Sequence, residues 1–232
     1  MKKTFKLKTL ALSLAVAGAA SVAMVPAAAQ AGVSANVGVV TDYIFRGFNQ
    51  SADGTGQPAL QGGLDFETDM GLYAGVWAST MDKEYEYDLY AGWAGTVSDI
   101  DLGIAYTNYS YTDKVAYAPG ASSFEEINTS IGYGPVTLAV DFDVDPDVTN
   151  YIHYAVSYDA SAVAEGVSLT YGVTKTDKDG GVKTKDAGYL DVGYATTLDM
   201  GVDLTANFIM SDAGADDTSY LVIGMSKSFD LM

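Results

Sequence analysis

The sequence predicts an all-β protein, a transmembrane antiparallel up-and-down β-barrel of about 12 strands. Three observations carry this. Apolar and polar residues alternate with a period of two in one segment after another, and no long stretch keeps a helical period. The segments are even in number and mostly run about 9–11 residues, the length of a tilted membrane strand. Short and longer connections alternate along the chain, the rim asymmetry of outer-membrane barrels.

The first element is a targeting segment. Lys2, Lys3, Lys6 and Lys8 form a positive head, Leu10 to Val25 is an Ala-rich apolar run, and Pro26 breaks it. Ala29-Gln30-Ala31 is a small-residue cleavage site, so residues 1–31 read as a secretory signal peptide cut after Ala31. The run is short for the roughly 20 residues of a spanning helix, which argues against a membrane anchor. Cleavage leaves 8 Lys and Arg against 30 Asp and Glu, a net charge of −22 on residues 32–232. With 17 Tyr and 8 Phe the chain is not a disordered acidic tail. Nucleic acid is excluded as a partner, because it needs clustered positive charge. The absence of Cys excludes disulfides, thiolate metal sites and a Cys nucleophile.

Strands are expected near 33–46, 58–66, 71–79, 85–96, 100–111, 124–133, 135–144, 150–160, 166–176, 186–196, 201–211 and 218–229. In the first, Asn36, Gly38, Asp42 and Arg46 share one face and Val37, Val39, Tyr43 and Phe45 the other. In the fourth, Tyr85, Tyr87, Leu89, Ala91 and Trp93 oppose Glu86, Asp88, Tyr90 and Gly92. The clearest is Val136 to Val144, where Val136, Leu138, Val140, Phe142 and Val144 oppose Thr137, Ala139, Asp141 and Asp143. Next, Ile152, Tyr154, Val156 and Tyr158 oppose His153, Ala155 and Ser157. Near the C-terminus, Val202, Leu204, Ala206, Phe208 and Met210 oppose Asp203, Thr205 and Asn207. Residues 67–70, 97–99, 134, 161–165 and 197–200 are short turns; 47–57, 80–84, 112–123, 145–149, 177–185 and 212–217 form the longer set. Export from the inner side places the short turns in the periplasm and the longer loops outside.

The polar face decides between a soluble and a membrane barrel. A soluble barrel packs an apolar interior. Several strands here carry carboxylates on one face, and isolated charges are too costly for a packed core. They fit a wet lumen. The apolar face is rich in Tyr, the residue of interfacial girdles. The expected lumen-lining set is Asp42, Arg46, Asp65, Glu86, Asp88, Glu126, Asp141, Asp143, His153, Asp191 and Asp203. Arg46, the single arginine, is expected to pair with Asp42 or with acids on other strands, or to act as a charge at a constriction.

No catalytic, cofactor or metal site is expected. Asp141 to Asp147 resembles the start of a calcium loop, but the positions that need Gly and Glu hold Pro146 and Ile152. Asp177-Lys178-Asp179-Gly180-Gly181 is a turn signal. His153, the single histidine, has Ala155 where the H-x-S pattern of barrel phospholipases has its serine, and Ser157 is roughly 13 Å along the strand. Lys83, Lys114, Lys175, Lys178, Lys183 and Lys185 fall in or beside the longer loops, where they are expected to meet solvent or anionic lipopolysaccharide.

The N-terminal third resembles the TorF-type family of outer-membrane porins. The resemblance rests on Asn36-Val37-Gly38, Asp42-Tyr43-Ile44-Phe45-Arg46-Gly47, Pro58-Ala59-Leu60-Gln61-Gly62-Gly63-Leu64-Asp65 and Gly71-Leu72-Tyr73-Ala74-Gly75-Val76-Trp77-Ala78-Ser79. It implies a porin without catalytic residues or an assigned substrate. The usual aromatic C-terminus of such barrels is displaced, since Phe229 precedes Asp230-Leu231-Met232.

The expected function is passive passage of small solutes across the outer membrane of a Gram-negative bacterium, with a modest cation preference. The alternative is a non-conducting structural or adhesive barrel; an outer-membrane lipid hydrolase is a weaker third. Outer-membrane lipid, lipopolysaccharide, small solutes and the barrel assembly machinery are the expected partners. Residues 47–57 or 112–123 are expected candidates for an inward plug.

Overall fold

The computed structural model describes residues 32–51, 56–81, 84–112, 122–144, 151–176, 186–213 and 217–232. The expected signal segment 1–31 and most of the loops 112–123, 145–149 and 177–185 lie outside the described residues, as do all the loop lysines except Lys175.

Among the described residues fourteen strands follow one another: β1 (Gly32–Val40), β2 (Ile44–Phe45), β3 (Phe48–Asn49), β4 (Ala59–Glu67), β5 (Leu72–Thr80), β6 (Tyr85–Val97), β7 (Ile100–Tyr111), β8 (Ser123–Tyr133), β9 (Val136–Asp143), β10 (Tyr151–Asp159), β11 (Val167–Thr176), β12 (Ala187–Thr197), β13 (Asp203–Ser211) and β14 (Thr218–Asp230). Twelve of them close into one antiparallel barrel, each beside its sequence neighbour, and β1 seals it by pairing with both β4 and β14. β2 and β3 form a separate two-stranded hairpin. The expected fold class holds, and no helix occurs among the described residues. Closure leaves no wall strand with an unpaired edge, as a wall in lipid requires.

Alternation sets which side chain faces where. Leu60, Leu64, Leu89, Leu138, Phe208 and Leu221 are exposed on the outside, whereas Glu86, Asp88, Thr107, Asp141, Asn207 and Ser211 are buried on the inside. Register carries the inward set from strand to strand: Gly38 lies across from Gln61, Gln61 from Ser79, and Asn128 from Asp141. Leu204 is the second residue of β13, so it sits nearer the rim than the mid-wall Phe208.

One rim is closed by tight turns. Four of the five contain a glycine in the left-handed region: Gly71 (φ 80°), Gly134 (58°), Gly166 (77°) and Gly201 (68°). The fifth uses Ser98, at φ 61°. Both described ends of the chain come together at this rim, where Val33 N donates to Met232 O at 3.2 Å.

The first strand corrects the sequence reading. A single strand over 33–46 is expected, but β1 ends at Val40 and Thr41 makes the last bonds to β14, with Thr41 N donating to Ile223 O at 2.9 Å. In a wall strand Tyr43 and Phe45 would face outward and Ile44 inward. Instead all three are buried, at 5%, 7% and 2% exposure. The run Tyr43-Ile44-Phe45 is apolar at consecutive positions, so it gains more by burying both faces than by alternating.

Candidate functional site: a hairpin across the lumen

After Val40 the chain turns into the barrel. Ile44 and Phe45 pair with Asn49 and Phe48. The tip is Arg46-Gly47, at φ 51° and 84°. Positive φ at both central residues is the mark of a type I′ turn, which matches strand twist. Gly47 is demanded twice, by its φ and by space: a Cβ there would fall 2.5 Å from Ser211 Oγ and 2.9 Å from Tyr189 Cβ.

The hairpin touches walls on opposite sides. Tyr43 meets Trp77 of β5 edge-on, ring centres 5.8 Å apart, and Phe45 meets Tyr109 of β7 at 5.9 Å. Gly47 abuts β12 and β13, and Arg46 reaches β8 and β9. The segment therefore spans the lumen in the half nearer the longer loops. It forms the core of the molecule with Tyr109, Tyr111, Phe124, Tyr151, Tyr189, Ile209 and Val222.

Arg46 is held by two wall carboxylates. Nη1 donates to Glu126 Oε1 at 2.6 Å; Nη2 donates to Glu126 Oε2 and to Asp141 Oδ2, both at 2.9 Å. Arg46 is 3% exposed and both acids are fully buried. Its guanidinium carbon lies 4.7 Å from the centre of the Phe45 ring and 5.9 Å from that of Tyr151. The acids have wall partners of their own. Glu126 accepts from Tyr109 Oη at 3.1 Å, from Asn128 Nδ2 at 2.9 Å and from Tyr151 Oη. Asp141 Oδ1 accepts from Asn128 Nδ2 at 3.2 Å. A bidentate charge-assisted pair with this many donors is the arrangement that offsets burying the ions.

The other sequence-predicted residues are distributed over the inner surface. Glu86 accepts from Tyr111 Oη at 2.9 Å, and Asp88 Oδ1 has no hydrogen-bond partner. Asp143 lies across from Glu126 at the loop rim. Asp42, at the foot of the hairpin, accepts from Asn49 Nδ2 at 3.2 Å rather than from Arg46. Nearer the tight-turn rim, Asp65 accepts from Asn36 Nδ2 at 3.4 Å and from Tyr90 Oη. Both oxygens of Asp191 accept from Asn207 Nδ2 at 3.0 Å, and Asp203 accepts from Thr197 Oγ1 at 2.6 Å. His153 is fully buried, bonded through Nδ1 to Thr174 Oγ1 at 2.9 Å and stacked on Tyr189. Ser157 bonds Thr170 at 2.8 Å, not His153. Among the described residues no three His, Asp or Glu side chains converge as metal ligands would.

Sequence reasoning missed the inward aromatics. Tyrosine was expected on the outer face, and Tyr85, Tyr106, Tyr133 and Tyr171 are exposed there. Tyr109, Tyr111, Tyr151 and Tyr189 point inward instead and are buried, as is Tyr90, which the sequence already sets on the polar face. Parity was the available signal, since Tyr151 shares the phase of His153 on β10.

A closed twelve-strand barrel with a polar interior and an inserted hairpin is a porin-like barrel. The chain belongs to the family described as "Bacterial protein of unknown function (Gcw_chp)", which matches residues 25–230. That match does not carry the TorF-type label suggested by the N-terminal residues. No match is found among curated proteins. Solved structures with the same fold include "KdgM porin", at 8% identity and TM-score 0.53, covering 84% of this chain and 99% of that one. The same protein "in complex with disordered oligogalacturonate" aligns at TM-score 0.51 with 8% identity, covering 85% and 98%. A membrane protein crystallised in meso aligns at TM-score 0.54 with 11% identity, covering 86% and 83%.

Proposed function

We propose that the chain is an outer-membrane porin of a Gram-negative bacterium, exported by a signal peptide cut after Ala31, that lets small solutes pass with a modest cation preference. The observation that carries this is the inner wall: Asp65, Glu86, Asp88, Glu126, Asp141, Asp143, Asp191 and Asp203 are on the inner side of a barrel whose outer surface is apolar, and the one inward guanidinium, Arg46, pairs with two of them, Glu126 and Asp141. Carboxylates in a confined aqueous path concentrate cations and repel anions. The likeness to KdgM porin supports the fold of such a channel, and the TorF-type residues of the N-terminal third point the same way. In this reading the tight turns face the periplasm, the longer loops and their lysines face lipopolysaccharide, and the assembly machinery inserts the barrel.

The hairpin favours a second reading, a non-conducting structural or adhesive barrel, because it fills the loop-side half of the lumen. Single-channel recording of the purified protein in planar bilayers separates the two. Discrete conductance steps are expected for the porin; a silent bilayer with correctly folded protein supports the structural barrel. Lipid release from detergent micelles would reveal a hydrolase, and none is expected, since the one hydroxyl bonded to His153, Thr174 Oγ1, is buried with it on the inner face, away from lipid.

A further inference from the structure

We infer that Glu126 and Asp141 form a guanidinium-binding site on the barrel wall, filled here by Arg46, and that a small solute bearing a guanidinium group displaces Arg46 and releases the hairpin from the lumen. The transport consequence rests on the porin reading; the binding site does not.

The site is built by the wall, not by the hairpin. Tyr109, Tyr151 and Asn128 hold Glu126, and Asn128 also holds Asp141, so both acids stay oriented when Arg46 leaves. Their oxygens match a planar fork: one carboxylate takes both terminal nitrogens and the second takes Nη2 again. An ammonium offers no such pair of parallel donors. Arg46 Nε has no hydrogen-bond partner, so the site reads only the terminal group of the side chain. Any monosubstituted guanidinium presents that same group, whatever carries it. The Tyr151 ring beside the cation belongs to the wall as well.

The hairpin is held in the lumen by side-chain packing and the Arg46 ion pairs, not by the backbone ladder of the wall. It forms its own two-stranded sheet and shares no ladder with the wall strands. Its tip places Arg46 at φ 51°, a conformation that a non-glycine residue resists. Arg46 is thus a tethered, internal copy of the ligand. A short tether gives an effective concentration in the millimolar range, so a free solute competes at about millimolar concentration or above.

The test uses methylguanidinium as probe, with methylammonium as control, on the full mature barrel in detergent and in planar bilayers. Folding is checked by the gel shift of the unheated barrel. By calorimetry, Arg46→Ala should bind methylguanidinium, with wild type and the double variant Arg46→Ala/Glu126→Gln weaker by roughly tenfold or more, the loss expected for a charged acceptor. Should Arg46→Ala not fold, a variant with 44–49 replaced by a Gly-Ser linker takes its place, against the same linker carrying Glu126→Gln. Equal binding with and without Glu126, or equal binding of methylammonium, overturns the site. In bilayers, the linker variant should conduct several-fold more than wild type, and methylguanidinium should raise wild-type current. If the linker variant and wild type conduct equally, the hairpin is no plug, though the porin reading stands. If neither conducts, the porin reading fails, and calorimetry still decides the binding site.

Discussion

Arg46 combines two features that oppose each other. Its backbone sits at φ 51°, where an L-residue is disfavoured by roughly 1–2 kcal/mol, and its side chain makes the barrel's buried ion pairs. The ion pairs dominate, because a buried carboxylate left without its partner costs roughly 3–5 kcal/mol. Arg46→Ala should therefore lower stability to urea, whereas Arg46→Met combined with Glu126→Gln and Asp141→Asn should recover much of the loss. Urea titration of refolded variants checks the order; no recovery in the triple variant would mean that the charges are not what is lost. Arg46 was legible as an inward residue, but its partners were not. Glu126 and Asp141 are 80 and 95 residues away, and only the barrel register brings them to one place. The lipid-facing assignment is testable on adjacent residues. Leu138→Lys should cost on the order of 2 kcal/mol, being exposed on the outer face, and Thr137→Lys, pointing inward, clearly less. Equal midpoints for the two would reverse the faces.

The strands themselves were legible because a half-wet wall imposes a period of two, and eleven of the twelve expected segments match wall strands over most of their length. The exception, 33–46, shows where the rule ends. From Tyr43 to Phe45 three consecutive residues are buried, a pattern that belongs to neither face of a wall. That was visible as an apolar run, but alternation at Val37 and Val39 carried the reading past Val40. Of the two expected candidates for an inward plug, 112–123 lies mostly outside the described residues, and 47–57 places the insertion too late, since the buried part begins at Tyr43 and the tip is at Arg46-Gly47. Turns offer a sharper test of the element account. Ser98 occupies at φ 61° the kind of position that glycine holds in the other tight turns. Ser98→Gly should thus stabilise the barrel by about 1 kcal/mol, seen as a higher urea midpoint. A lower midpoint would mean that the Ser98 side chain contributes more than its backbone costs.

For the whole molecule, the excess of inward acids over the one inward guanidinium is the property that function would use. The proposed topology puts 112–123 and 177–185 outside, so epitope tags there should be reached by antibody on intact cells, while tags in 67–70 stay hidden. The charge pattern was legible in sequence because alternation sorts acids from apolar residues strand by strand. Whether the path is open was not, because the hairpin's position depends on contacts between distant strands. The most direct test of the central claim is the reversal potential across a planar bilayer under a KCl gradient, at neutral pH and low salt. The account predicts a cation-selective sign that weakens in concentrated salt, where the screening length falls to about 3 Å at 1 M. An anion-selective sign would contradict it.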